Sequence, residues 1–207
     1  MEMPNAAIIA DRLKSALDKE DAERRHFYEI VEEDKKMEFM NGEIIFQSPA
    51  KLRHTTSVKL LTNLLSNFVI KNNLGYVGME KMLISLTRND YEPDICFFMK
   101  DKSDKFTPTQ MQFPAPDIIV EVLSPSTEKH DRETKFQDYA AHGIHEYWII
   151  DAEHGVIEQY MLQNEEYDLL LKAKDGAIQS VVLPEFKIQI RAVFDEQTNL
   201  EELKRLI

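Results

Sequence analysis

The segment Asp117-Ile-Ile-Val-Glu-Val-Leu123 constrains this chain most. A run so apolar and β-branched reads as a central strand covered on both faces. It therefore calls for a sheet with other layers packed above and below. It also raises a problem of charge. Glu121 sits between Val120 and Val122, and desolvating an isolated carboxylate costs several kcal/mol even after relaxation. A lysine or arginine partner, a proton or a metal ion must compensate it. A metal or catalytic role and a structural ion pair both meet that need.

The surrounding pattern supplies those layers. Residues 6–20 carry Ile9, Leu13, Ala16 and Leu17 at helical spacing and read as an amphipathic helix. Phe27 to Gln47 reads as extended structure around the Asn41-Gly42 turn, a good hairpin signal between apolar runs. A long helix is expected over 51–73, with Val58, Leu61, Leu65 and Phe68 as its stripe and Asn72, Asn73 and Gly75 as its stop. His54 continues that stripe one turn earlier.

Strands are expected at 76–86, 93–98 and 117–123, then a helix of about four turns ending at Gly143. Tyr147 to Ile150 reads as another buried strand. Short strands at 156–161, 167–173, 178–183 and 187–191 follow, with a terminal helix near 196–206. The order implies an α/β (α+β) chain, a mixed sheet flanked by helices. The length of 207 residues suits one domain.

Hydrophobic residues at 43% and charged residues at 30% argue against disorder. The net charge of −12 counts against binding nucleic acid over a broad surface, though not in a local basic cleft or one between two subunits. The single cysteine, Cys96, allows no intrachain disulfide and no cysteine-rich zinc site. Two residues after Asp94, it reads as a small packing residue. Met1 to Glu20 lacks the order of a secretion signal, and no apolar run approaches the ~20 residues that span a bilayer, so the cytoplasm is the expected compartment. With six glycines, neither a phosphate-cradling loop nor a dinucleotide fingerprint is present.

A hard divalent cation needs a second acid. Asp94 and Asp117 each follow a proline. Asp117 and Glu121 would lie about 13 Å apart along one strand, too far to share an ion. Asp94 precedes Glu121 by enough chain for a separate, adjacent strand, so Asp94 and Glu121 are the expected metal ligands. Asp117 reads as an acid marking the strand's entry.

Tyr91-Glu-Pro-Asp94, then Pro116-Asp-Ile-Ile-Val-Glu-Val-Leu-Ser-Pro-Ser-Thr127, then Lys135, Tyr139 and Gly143-Ile-His-Glu-Tyr-Trp-Ile-Ile-Asp151 resemble the Uma family of restriction endonucleases. That family falls within the PD-(D/E)XK nuclease superfamily. The resemblance covers roughly 25–195 and takes in the Asn41-Gly-Glu-Ile44 hairpin and His54; residues 1–24 then form an N-terminal helical extension. It implies a restriction-endonuclease-like fold and a magnesium-dependent site (manganese being the alternative ion), with Asp94 as the superfamily's aspartate and Glu121 as its second acid.

One departure stands out. The superfamily places a lysine two residues after the second acid, where this chain has Leu123. The resemblance offers Lys135 instead, on the following helix; otherwise Lys135 would be a solvated lysine pairing with Asp131. Lys129 and His130 lie too near the turn. His54 is either a hydrogen-bonded core histidine or, as the resemblance implies, a site-lining one. Glu43 is an exposed hairpin glutamate or an accessory acid, and Glu80 is a further nearby acid. Tyr147 and Trp148 read as core, and His142, His145 and His154 show no ligand spacing.

The function so implied is metal-dependent endonucleolytic hydrolysis of DNA, leaving 5′-phosphate ends, by a homodimer suited to two strands. The missing lysine and the acidic charge favour a competing reading, a catalytically inactive module of the same fold that binds nucleic acid or protein. A third reading is hydrolysis of RNA or another phosphate ester.

Overall fold

The computed structural model describes residues 5–31 and 35–207. Helix α1 (Ala6–Ile30) precedes the hairpin β1 (Met37–Met40) and β2 (Glu43–Phe46), then α2 (Leu52–Asn72). Strands β3 (Gly75–Met79), β4 (Leu83–Ser85), β5 (Asp90–Tyr91) and β6 (Ile95–Met99) follow. A short α3 (Lys100–Ser103) and β7 (Gln112–Phe113) lead to β8 (Ile118–Val122). Helices α4 (Glu128–Arg132) and α5 (Thr134–Ala141) come next, then β9 (Glu146–Asp151), β10 (Val156–Gln163) and β11 (Glu166–Ala173). The chain closes with β12 (Ala177–Gln179), β13 (Lys187–Gln189), a 3-10 turn over Ile190–Val193 and α6 (Glu196–Leu206).

Among the described residues the larger sheet has the order β11-β10-β9-β8-β6-β3. Only β8 and β9 run parallel there, with Glu121 opposite Ile149; β6 pairs antiparallel with β8, Ile95 opposite Val120. The smaller of the two main sheets has the order β2-β1-β5-β4-β7, and β12 and β13 form a separate two-stranded sheet. This is the mixed α/β architecture flanked by helices that the sequence implied.

Strand periodicity sorts the core. Ile95, Phe97, Ile118, Val120, Val122, Trp148 and Ile150 face the α2 stripe of Val58, Leu61, Leu65 and Phe68, with Leu206 of α6 alongside. Cys96, Phe98, Ile119, Tyr147 and Ile149 face the other way, onto Tyr139 of α5 and onto Met40, Ile84 and Tyr91 of the smaller sheet. Phe27 of α1 covers the outer face of that sheet against Met37, Phe39 and Leu83. Strand β8 is thus buried on both faces, and Glu121 points into the seam between the two sheets and α5.

The hairpin forms where expected, Met40 opposite Glu43, with Asn41 at φ 54° and Gly42 at φ 83°. These are the positive φ values that a two-residue turn of this hand requires. Helix α2 stops at Asn73, which adopts φ 53°.

Four expectations change. Residues 27–30 are helical rather than extended, because Phe27 is drawn into the core as part of α1. The portions of the expectations that fall on 1–4 and 32–34 lie outside the described residues. The amphipathic stripe of the first helix does not reach the core, since Ile9, Leu13 and Leu17 are exposed. The single strand over 76–86 is two strands in different sheets, separated at Glu80 with φ 57°. The helix before Gly143 is broken at Glu133, whose ψ of −77° departs from helical geometry, so α5 takes a new direction. Among the described residues, no helix is long and apolar enough to cross a membrane.

Candidate active site

Alternation explains how the two acids meet. Asp94 precedes β6 and shares the parity of Cys96 and Phe98, the face that carries Ile119 and Glu121 on β8. Both carboxylates are buried, Glu121 to 3% exposure. Their backbones lock them together: Asp94 Oδ2 accepts from the Val122 amide at 2.8 Å, and the Asp94 amide donates to Glu121 Oε2 at 3.4 Å.

Each acid then finds different company. Asp94 Oδ1 takes Lys36 Nζ at 2.7 Å and lies 3.4 Å from His54 Nε2. Burial opposes its charge, but the His54 hydrogen bond and the nearby Lys36 hold its carboxyl well below the usual range. The same contact raises the His54 imidazole pKa against the effect of burial. Glu121 Oε1 accepts from Lys135 Nζ and from Tyr139 Oη, both at 2.9 Å. Burial pushes the Glu121 carboxyl well above its ordinary value; Lys135 opposes this, while Asp131, Asp94 and Glu38 add to the rise.

Lys135 is 1% exposed and engages three carboxylates: Glu38 and Glu121 at 2.9 Å and Asp131 at 3.4 Å. The Asp131 pairing expected of a solvated helix lysine is present, but the lysine is not solvated. Its ammonium also lies 5.6 Å from the Tyr91 ring centre, within cation–π range. Four buried carboxylates, Glu38, Asp94, Glu121 and Asp131, thus share the two ammonium groups of Lys36 and Lys135. A hard divalent cation suits that excess of oxygen ligands. Among the described residues, the ligand atoms that converge within 4.8 Å belong to His54, Glu80 and Asp94. Glu121 stands beside that trio, its Oε1 turned toward Lys135.

These groups lie at the base of a cleft of about 750 Å³. Lys51, Arg53 and Phe46 line it from α2 and the hairpin, Ser124 and Thr127 from the turn after β8, and Glu153 and His154 from beyond β9. The lip therefore carries both signs, Lys51 and Arg53 alongside Glu128, Asp151 and Glu153. Arg53 is tied across it to Glu153 at 2.6 Å. Leu123 also lines the cleft, so the missing lysine leaves an apolar wall.

The remaining candidates separate cleanly. Asp117 accepts from the Met99 amide at 2.7 Å and pairs with Lys102 at 2.9 Å, at the far end of β8. Cys96 is buried beside Met82, and burial pushes its thiol up to about 12, which leaves it a packing residue. Glu43 is exposed on the hairpin. His142 bonds to Thr87 and Asp138, and His154 to Asp151.

Two residues at the base, Lys36 and Glu38, escaped sequence reasoning, and a third, Tyr139, entered it only within the family resemblance, with no role at the site. Lys36 reaches in from the lead to β1, Glu38 from β1, and Tyr139 from α5. A signal existed for Glu38, an acid between Met37 and Phe39 in an apolar strand, the same anomaly that marked Glu121. Lys36 carried none, and Tyr139 only its place in the family pattern.

No curated protein matches this chain. A solved structure described as a "putative nuclease belonging to DUF820" from Anabaena variabilis ATCC 29413 superposes with a TM-score of 0.70 at 19% identity, covering 86% of this chain and 96% of that one. At that identity the likeness is one of fold. The family described as "Uma2: Putative restriction endonuclease" matches residues 23–191. With most of its length matched, and with this fold, the chain belongs to the Uma2 family.

Proposed function

We propose that this protein is a divalent-metal-dependent endonuclease that hydrolyses phosphodiester bonds in DNA. The observation that carries this reading is the burial of Asp94 and Glu121 side by side, one leading into β6 and one on its partner β8, at the base of a cleft that Lys51 and Arg53 also line. A magnesium or manganese ion held by these two acids supplies, when bound, neutralising charge at the scissile phosphate and a more acidic water.

The chain's own residues prepare that site. The Val122 amide fixes Asp94 Oδ2, and His54 bears on Oδ1. Lys135 and Tyr139 hold Glu121 Oε1, so that Oε2 remains turned toward Asp94. Lys135 assists by orienting Glu121 and favouring its charged form against burial. Lys51 and Arg53 receive backbone phosphates at the lip. In this reading residues 25–195 form the nuclease core of a single domain with 1–24 as an extension, and a cytoplasmic homodimer would present two such clefts to a duplex.

The test is cleavage of labelled DNA with added magnesium. Asp94→Ala and Glu121→Ala should each abolish it while the circular dichroism spectrum and melting temperature persist. Full activity in Asp94→Ala would overturn the assignment. An inactive, nucleic-acid-binding module is the second reading, favoured by the enclosure of Lys135 among three carboxylates. Binding without cutting at any magnesium or manganese concentration would select it, and a parallel RNA substrate separates the two nucleic acids.

A further inference from the structure

The superfamily pattern asks for an ammonium beside the second acid, and Leu123 cannot provide one. Two lysines stand close enough to do so, one buried and one half-buried. Lys135 is closed off: its ammonium is enclosed by Glu38, Glu121 and Asp131, and its side chain is 1% exposed. Lys36 differs on each count. It lies at the cleft, its side chain is 18% exposed, and its partners are Asp94 Oδ1 at 2.7 Å and Glu80 Oε2 at 3.2 Å.

We propose that Lys36 is the residue whose ammonium meets the scissile phosphate in this cleft, and that without a divalent cation it occupies Asp94 in that cation's stead. The inference rests on the nuclease reading above. Asp94 Oδ1 is the atom that a metal ion would need, and Lys36 holds it. Glu80 gives the ammonium a second anchor. Its backbone sits at φ 57° between β3 and β4 and its side chain is 41% exposed, so it flanks the cleft rather than the core. Lys36 can therefore leave Asp94 without losing its pairing with Glu80, a shift that turns it toward the open cleft.

During hydrolysis a water oxygen bonds to phosphorus and the P–O3′ bond breaks. One proton of that water passes through solvent to the departing 3′ oxygen. Lys36 keeps its own proton throughout and donates a hydrogen bond to a non-bridging phosphate oxygen, where charge accumulates.

This arrangement predicts opposite effects from one substitution. Lys36→Met removes both a competitor for Asp94 and a donor to the phosphate. Calorimetry of the full chain with Mg2+ or Mn2+ alone, without nucleic acid, should show binding tightened several-fold over wild type. Cleavage of labelled DNA should slow by about 10²–10³-fold in kcat, the usual consequence of losing one such donor. Lys36→Gln should repeat both changes in milder form, and Lys36→Arg should restore part of the cleavage.

A merely structural lysine would lower metal affinity and cleavage together, and that result overturns the proposal. Unchanged kcat in both Lys36→Met and Lys36→Gln overturns it too, while leaving the nuclease reading intact. A wild type that neither binds metal nor cuts defeats the nuclease reading and this inference with it.

Discussion

At the scale of single residues, buried carboxylates organise this protein, and their neighbours decide what each one does. Glu146 is fully buried. It accepts from Trp148, Gln159, Ser180 and the amides of Val181 and Val182, so its carboxyl oxygens fasten the loop after β12 to β9 and β10. Asp90 ties down α1 through Arg24, at 2.6 and 2.9 Å, and Tyr28 at 2.8 Å. Glu158 serves the helix before the site. Burial disfavours its charge, but the Arg132 pair at 2.9 and 3.0 Å, Tyr160 and Lys172 outweigh that and hold its carboxyl down to about 2. A carboxyl lowered on folding stabilises above its unfolded value of 4.5, and that contribution disappears as pH falls toward 2. The unfolding free energy of wild type minus that of Glu158→Gln should thus be constant from pH 7 to about 5 and shrink below it. Urea titrations across that range measure the difference. A gap that widens on acidification would contradict the assignment.

At the scale of elements, the site depends on how β6 and its neighbours are seated. β6 is flanked by β8, which carries Glu121, and by β3, which begins at Gly75 opposite Met99. Gly75 has φ 149°, and a Cβ added there would overlap the Phe98 carbonyl oxygen. Gly75→Ala should destabilise the fold by at least about 1 kcal/mol in chemical unfolding, and should loosen the β3–β6 edge first. Hydrogen exchange at the amides that pair β3 with β6 would report it; protection equal to wild type would count against this account. Element lengths were readable from sequence where periodicity was long and clean, as in α2 and β8. The break at Glu133 was not, because Asp131 and Lys135 keep ordinary helical spacing through it. What redirects α5 is the pull of Lys135 toward acids on β1 and β8, strands distant in sequence.

At the scale of the whole molecule, a net charge of −12 and the proposed nucleic-acid substrate are reconciled by confinement. The cations that face the cleft are few, with Lys36, Lys51, Arg53 and His54 among them. Phosphate contacts should be correspondingly few. The logarithm of DNA affinity, measured by fluorescence anisotropy with calcium, should fall with the logarithm of salt at a slope of only about −3. A much steeper slope would mean that a second subunit or another surface joins the contact. The sequence by itself determined the parts that depend on local pattern. The apolar run around Glu121 demanded a doubly covered strand, Asn41-Gly42 demanded a hairpin, and the separation of Asp94 from Glu121 allowed two strands to present both acids. Only the tertiary structure decided which cations answer those acids. Lys36 comes from the lead to β1 of the other sheet and Lys135 from a redirected helix, and ion pairing across such distances leaves no periodicity in the chain to read.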